Sequence, residues 1–257
     1  MRLSLSGLID RWLAPAPPPA QVAWLRGQTF AHRGLHGGGT PENAPSAFAA
    51  AIARGLGIEC DVQLTADGQA IVFHDFTLDR LTGEHGEVIA RPAAALGTIS
   101  LLGSTDFIPD LPGLLRLVAG QVPLLIEVKM RSTRPVAPLC RAVTAALAGY
   151  AGPHAVMSFD PRVSRWFARH APAMLRGLIV TEEAYKGLPG GIRRQLSLWW
   201  AKPHFLAYDI RDLPSRFASA QRQRGLPVAS WTVRSPALLA RAALHADAPI
   251  AEGEGIA

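Results

Sequence analysis

Glu59 and Asp61 stand two residues apart in the run Gly57–Leu64, and Glu127 and Lys129 stand two apart at the end of the run Val122–Lys129. Both runs are otherwise mostly apolar. In an extended strand, residues i and i+2 share a face, so each pair presents its charges together. Charges set inside apolar strands are costly unless they bind a metal, pair with one another or reach water. Three carboxylates converging on one rim would repel, and a hard divalent cation would relieve the repulsion. All-oxygen ligation suits Mg²⁺ or Ca²⁺ better than zinc. Salt bridges to nearby arginines satisfy the same spacing, and the spacing alone leaves both readings open.

His32 closes the run Thr29–His32, and His74 closes Gln69–His74. Imidazole titrates near neutrality, so two such groups at strand ends could form an acid–base pair; a histidine taken singly is more often structural than catalytic, and the charged strand ends beside these two favour the catalytic reading. Arg33 and Lys129 could hold phosphate oxygens, Arg through two parallel hydrogen bonds and Lys as a point charge. Other polar residues have blander readings. Asp75 follows His74 but points elsewhere on a regular strand. Asp209 could face a pocket or bond to Arg211. Gly37-Gly38-Gly39 reads as a turn before it reads as a phosphate cradle. His36 reads as a loop residue, and His85, His154, His170, His204 and His245 as structural or surface residues.

The elements that must position these groups are short β-branched or aromatic runs alternating with helical patterns. Besides the four runs above, strands are expected at Ala155–Phe159, Leu175–Thr181, His204–Ile210, Pro227–Val233 and Ala248–Glu252. Helices are expected over Pro45–Leu56, with Phe48, Ile52 and Leu56 on one face, along Val136, Leu139, Val143, Leu147 and Tyr150, over Pro161–Pro172, and over Ser235–Ala246. Strand–helix alternation implies parallel strands with right-handed crossovers. Nine runs make eight barrel strands if Gly57–Leu64 and Gln69–His74 are one arm folded at Ala66-Asp67-Gly68, one of them an added rim strand. The expected fold class is therefore α/β, a (β/α)₈ TIM barrel, whose chemistry sits at the C-terminal strand ends. A doubly wound open sheet is the rival, weakened by the lack of a glycine fingerprint after the first strand.

The chain has 257 residues, of which 49% are apolar and 18% charged, enough for one large core and too apolar for disorder. No run is long enough to span a membrane. The net charge of +6 favours anionic partners, but the basic residues are scattered, which argues against nucleic acid. Two cysteines, Cys60 and Cys140, are too few for a disulfide framework and read as core residues in a reducing compartment. Residues 1–28 read as a short apolar segment followed by a linker stiffened by Pro15, Pro17, Pro18 and Pro19, and residues 29–257 as the barrel. The start resembles no signal peptide, which points to the cytoplasm. The chain stops soon after its last strand, leaving no room for a full final outer helix. The N-terminal segment is expected to pack over that gap; the alternative is a weak peripheral membrane contact through residues 1–13. Nothing in the sequence sets an oligomeric state.

In order along the chain come His32-Arg33-Gly34, Pro41-Glu42-Asn43, Glu59-Cys60-Asp61-Val62, Phe73-His74-Asp75 and Ile126-Glu127-Val128-Lys129, with Thr77-Leu78-Asp79-Arg80-Leu81-Thr82 after the second histidine. This series resembles the glycerophosphodiester phosphodiesterase family of metal-dependent TIM barrels. The resemblance runs over about residues 29–252, dense to Lys129 and thinner beyond, apart from Ser230-Trp231-Thr232-Val233. It implies that Glu59, Asp61 and Glu127 bind the metal, that His32 and His74 are the acid–base pair, and that Arg33 and Lys129 lie near the phosphate. It further implies Glu42 in or just outside the metal's coordination sphere, and Trp231 against the substrate. The implied reaction is hydrolysis of a glycerophosphodiester to glycerol 3-phosphate and an alcohol. A lysophospholipase D-like activity and a non-catalytic phosphate- or lipid-binding barrel are the alternatives. Two departures stand out: Ala44-Pro45 replaces the threonine common after Pro-Glu-Asn, and Ala251-Glu252 replaces the Thr/Ser-Asp pair that commonly ends the final strand.

Overall fold

The computed structural model describes residues 5–183 and 187–256, which fall into two compact units. One is Phe30–His154. The other joins the residues up to Thr29 with those from Ala155 onward.

The first unit is organised around one long strand. β1 is Phe30–Ala31, β2 Gly57–Leu64, β3 Ala70–Val72 and β4 Leu124–Val128. β2 pairs in parallel with β1, Phe30 opposite Gly57, and with β4, Asp61 opposite Glu127. It pairs antiparallel with β3, Val62 opposite Val72. β3 is thus the added strand of the expected folded arm. Its turn is closed by the Thr65 N–H donating to the Gln69 carbonyl at 3.0 Å, with Gly68 at φ +78°.

A helix over Pro45–Ala53 connects β1 to β2, entered through proline at its first turn. Its buried face is Ala47, Phe48 and Ala51. Ile52 and Leu56 are only half-buried, because the helix ends before the expected stripe is complete and the chain turns at Arg54–Gly55. Phe76 to Pro109 forms an excursion whose Leu78, Val88, Leu96 and Leu101 pack with Ile71 and Phe73. The sequence did not announce it, nor the helix Leu111–Val118 that follows, capped by Asp110 accepting from the Gly113 N–H at 2.7 Å. The helix Ala137–Ala146 buries Leu139 and Val143 of the expected stripe together with Cys140, and ends before Leu147 and Tyr150.

The second unit repeats strand and helix. β5 (His154–Ser158), β6 (Arg176–Val180), β7 (Phe205–Asp209), β8 (Val228–Val233) and β9 (Ala248–Ala251) each pair in parallel with the next. Helices Pro161–His170, Gly187–Ala201, Arg216–Gln223 and Pro236–His245 alternate with them. The strands are buried on both faces, as strands covered by helices must be. Every expected strand is present, within two or three residues at each end. The fold class is the α/β TIM barrel. After β9 the described residues form only a short turn, Gly253–Gly255, where a final outer helix was not expected.

The N-terminal helix Leu5–Leu13 packs within this second unit. The Asp10 carboxylate is 3% exposed and accepts from Gln195 Nε2 at 2.5 Å, Trp199 Nε1 at 2.6 Å and Gln221 Nε2 at 2.9 Å. Ala14 is fully buried, and its carbonyl accepts from Arg224. Packing therefore holds, but not where it was expected. The segment rests on the helices after β6 and β7, because Asp10 needs the donors those helices carry. Among the described residues, no helix is long and apolar enough to cross a membrane.

Candidate active site

The charged strand ends of the first unit converge. Glu59 and Asp61 lie on β2 and Glu127 on β4, and the parallel register sets Asp61 beside Glu127. The three residues can offer carboxylate oxygens all within 4.8 Å of one another. Two cations flank them. Lys129 Nζ stands 3.1 Å from Glu127 Oε1 and 3.6 Å from Asp61 Oδ1, and Arg33 Nε stands 3.3 Å from Asp61 Oδ2. The salt bridges that competed with a metal in the sequence are thus present, yet two cations face three carboxylates that water barely reaches.

The electrostatics record that imbalance. Burial, then repulsion from Asp61 and Glu127, pushes the Glu59 carboxyl well above its usual range. Burial lifts Glu127 to about 7, against the pull of Lys129. Asp61 is held low despite its burial, by Lys129, Arg33 and the amide of Asn43. A set of hard oxygen donors carrying surplus negative charge fits a hard divalent cation.

Arg33 owes its position to an unusual backbone. It leaves β1 at φ +55°, and Asn43 sits at φ +56°, a conformation uncommon outside glycine. The two are locked together: the Asn43 N–H donates to the Arg33 carbonyl at 2.8 Å, and the Arg33 N–H donates to Glu59 Oε2 at 3.0 Å. Asn43 Nδ2 then donates to Asp61 Oδ2 at 2.9 Å. Backbone strain of this kind persists only where its surroundings over-determine it. The glycine after Arg33 has a packing reason, since a Cβ on Gly34 would meet Ala47 at 2.9 Å.

From Arg33 an alternating chain of charges runs to the second histidine. Arg33 Nη1 donates to Glu42 Oε1 at 2.7 Å, and Arg80 Nη2 donates to the same oxygen at 2.7 Å. Arg80 Nε donates to Asp75 Oδ2 at 2.6 Å, and Asp75 Oδ1 lies 2.6 Å from His74 Nδ1. Glu42 therefore holds arginines and stands outside the carboxylate cluster. Asp75 does not point away, as a regular strand would require. β3 ends at Val72, and Gln63 Nε2 donates to the carbonyls of Phe73 and Asp75 at 2.8 and 2.5 Å. That bend lets neighbouring side chains meet. Burial lowers the His74 pKa, outweighing the opposing pull of Asp61. His32 Nε2 lies 4.0 Å from Glu59 Oε2, with its side chain 12% exposed.

Asn43, Asp75 and Arg80 were absent from the residues expected to serve the site. Asn43 adjoins Glu42 and Asp75 adjoins His74 in the sequence, while Arg80 stands in the run Thr77–Thr82; what hid all three was backbone geometry. Trp231 lies on β8, in the other unit, where its Nε1 donates to the Ala207 carbonyl and its ring meets Phe159 edge-on. Asp209 accepts from Arg211 and caps its own turn. Gly37 bridges to Thr40 in a tight turn. Glu252, at the departure in the last strand, pairs with Arg234.

The model of the glycerophosphoryl diester phosphodiesterase family matches residues 32–250. The chain belongs to that family. Among its curated relatives, a glycerophosphodiester phosphodiesterase of Bacillus altitudinis is 37% identical over 112 residues, 40% of this chain and 45% of the relative. One from Caldanaerobacter subterraneus is 51% identical over 60 residues, 23% and 24% of the two chains. The matched stretch spans less than half the length of these curated relatives. Solved structures match more completely. A putative family member from Silicibacter pomeroyi is 25% identical with a TM-score of 0.74, covering 90% of this chain and 93% of that one. An Oleispira antarctica phosphodiesterase, solved with its product sn-glycerol-3-phosphate, shares the fold at 22% identity, with a TM-score of 0.77 over 88% and 93%.

Proposed function

We propose that the protein hydrolyses glycerophosphodiesters to glycerol 3-phosphate and an alcohol, using a divalent metal held by Glu59, Asp61 and Glu127. The observation that carries this reading is the buried carboxylate triad beside two strand-end histidines and two cations. The glycerol 3-phosphate in the Oleispira antarctica relative supports the product. Mg²⁺ or Ca²⁺ suits the all-oxygen set, and when bound it supplies positive charge that polarises a non-bridging phosphate oxygen.

The chain's own groups do the rest. Arg33 and Lys129 hold the phosphate in place and offset its charge. His32 and His74 divide the proton transfers: one imidazole removes a proton from the nucleophile, which is either water or the substrate's own glycerol hydroxyl (the latter giving a cyclic phosphate that water then opens), and the other gives a proton to the departing alkoxide. Asp75 accepts from Nδ1–H of His74 and so fixes which ring nitrogen, Nε2, is left for the reaction. The family resemblance assigns Trp231 to the substrate. A simple phosphate-binding barrel has no use for an imidazole oriented by a carboxylate that an arginine also grips, which disfavours the non-catalytic alternative. Cys60 and Cys140 are both buried in the core, in keeping with a reducing compartment such as the cytoplasm. The deciding experiment is turnover of glycerophosphocholine by purified protein, with and without chelation. Glycerol 3-phosphate release that stops on chelation and returns with Mg²⁺ or Ca²⁺ is expected; full turnover in the metal-stripped protein would overturn the metal assignment.

A further inference from the structure

The N-terminal helix has two faces, and only one is used. Asp10 and Ala14 turn inward. Trp12, on the far side of the helix, is 82% exposed, and Ile9 is exposed beside it. The helix that Asp10 grips, Gly187–Ala201, carries Leu188, Ile192, Leu196 and Trp200 at a strict four-residue interval, and all four are exposed, Leu188 at 79%. Gln195 and Trp199, which bond Asp10, adjoin that stripe on the helix surface, so the two helices extend one another's apolar face. Isolated exposed apolar residues are ordinary; a contiguous set on two joined helices marks an interaction surface.

The exposed charges carried by the two helices have one sign. Asp10 is the only acidic residue on either helix, and it is buried on its three donors. The exposed charged residues of the two helices are Arg11 and Arg193. Glu182 and Glu183, just before the second helix, are engaged by Arg194 and Arg211. A symmetric pairing of two copies through this face would set the arginines against their own counterparts, like charge on like. An anionic lipid surface instead matches both properties at once: an apolar face with tryptophans for the headgroup boundary and cations for the phosphates.

We infer that the face formed by Ile9, Trp12, Leu188, Ile192, Leu196 and Trp200 docks the protein onto an anionic phospholipid bilayer. Packing and membrane contact, rivals when residues 1–13 are read alone, are then the two sides of one helix. The second helix supplies the apolar area and cation that a segment of under three turns lacks.

The test uses the full chain and vesicles of phosphatidylcholine with or without phosphatidylglycerol, read by co-sedimentation and tryptophan emission. It needs no turnover, so it stands or falls apart from the proposed reaction. The wild type should bind the phosphatidylglycerol vesicles, with a blue shift in emission. Arg11→Ala and Arg193→Ala should each weaken binding, roughly fivefold per charge. Trp12→Ala with Trp200→Ala should abolish the blue shift and weaken binding further, whereas Leu244→Ala, an exposed leucine on another helix, should change nothing. Unchanged circular-dichroism melting checks that the variants fold. Three results would overturn the inference: no binding by the wild type, wild-type binding by the double tryptophan variant, or a stable dimer that Leu196→Glu dissociates.

Discussion

The acids at the strand ends of the two units meet different fates. In the second unit each finds a cation or a set of donors: Asp160 takes Arg162, Asp209 takes Arg211, Glu252 takes Arg234, and Glu182 takes Arg194 with the hydroxyls of Tyr208 and Ser215. In the first unit Glu59, Asp61 and Glu127 crowd together, and burial with mutual repulsion lifts two of them. A settled acid stabilises the fold. A crowded one stores an unfavourable interaction that a ligand can relieve, and such storage is how binding sites differ from scaffold. What separates the units is whether each acid's charge is answered within the protein, since both place acids at strand ends.

Substitution should break this contrast most visibly at its centre. Asp61→Asn should abolish measurable glycerophosphodiester turnover and added Mg²⁺ or Ca²⁺ should not restore it, while Asp67→Asn in the β2–β3 turn should remain active; kinetics under saturating metal decide. His32→Ala and His74→Ala should each lower kcat by about 10²–10⁴-fold, the range for a lost acid–base group. Near-native turnover in either folded variant would remove that histidine from the chemistry. Asp75→Asn should cost less, roughly 10–100-fold, as for partners that orient a reacting group, with KM little changed. Asp209→Asn should do the reverse, lowering Tm by a few degrees through loss of a buried paired carboxylate while leaving kcat within about twofold. Equal losses of activity from Asp209→Asn and Asp61→Asn would erase the distinction between the units.

The smallest expected effect concerns a half-buried base of the second unit. Burial, then Arg176, holds the His204 imidazole down at about 4, and its Nδ1 makes no hydrogen bond. The unfolded chain takes up that proton near pH 6.5, well before the folded protein does. Stability from this group is therefore present above about pH 6.5 and lost as pH falls toward 4. His204→Gln should flatten the fall of Tm over that window, and an unchanged slope would place the titration elsewhere.

The strands were legible because their period, length and turn residues agree, and β2 was read to the residue. Strand ends placed Glu59, Asp61, Glu127, His32 and His74 together because parallel register follows from strand–helix alternation. Two things escaped. The excursion from Phe76 to Pro109 has no period to betray it, only scattered Leu78, Val88 and Leu96 that find one another in three dimensions. The alliance of His74 with Asp75 depends on the strand ending two residues early under the hold of Gln63, which no pattern of side chains reveals. The resting place of the N-terminal helix escaped for a similar reason: Asp10 looked like an interruption of an apolar run and is its anchor.

The folded arm of β2 and β3 carries Glu59 and Asp61 on one limb and ends in His74 on the other, with Phe73 N–H donating to the Asp61 carbonyl across the gap. Its tip is knotted by Thr65 and Asp67, and Asp67 also receives the Ala93 N–H at 3.0 Å. The turn is therefore a ruler. Ala66, five residues of chain and about 17 Å of extended backbone from Asp61, can be exchanged for other side chains at little cost. An added or deleted residue there slides one limb past the other by one step and turns every following side chain to the opposite face. For this gene, a three-base insertion at the turn is more dangerous than most changes of letter, because it leaves every reacting residue intact and aims His74 the wrong way.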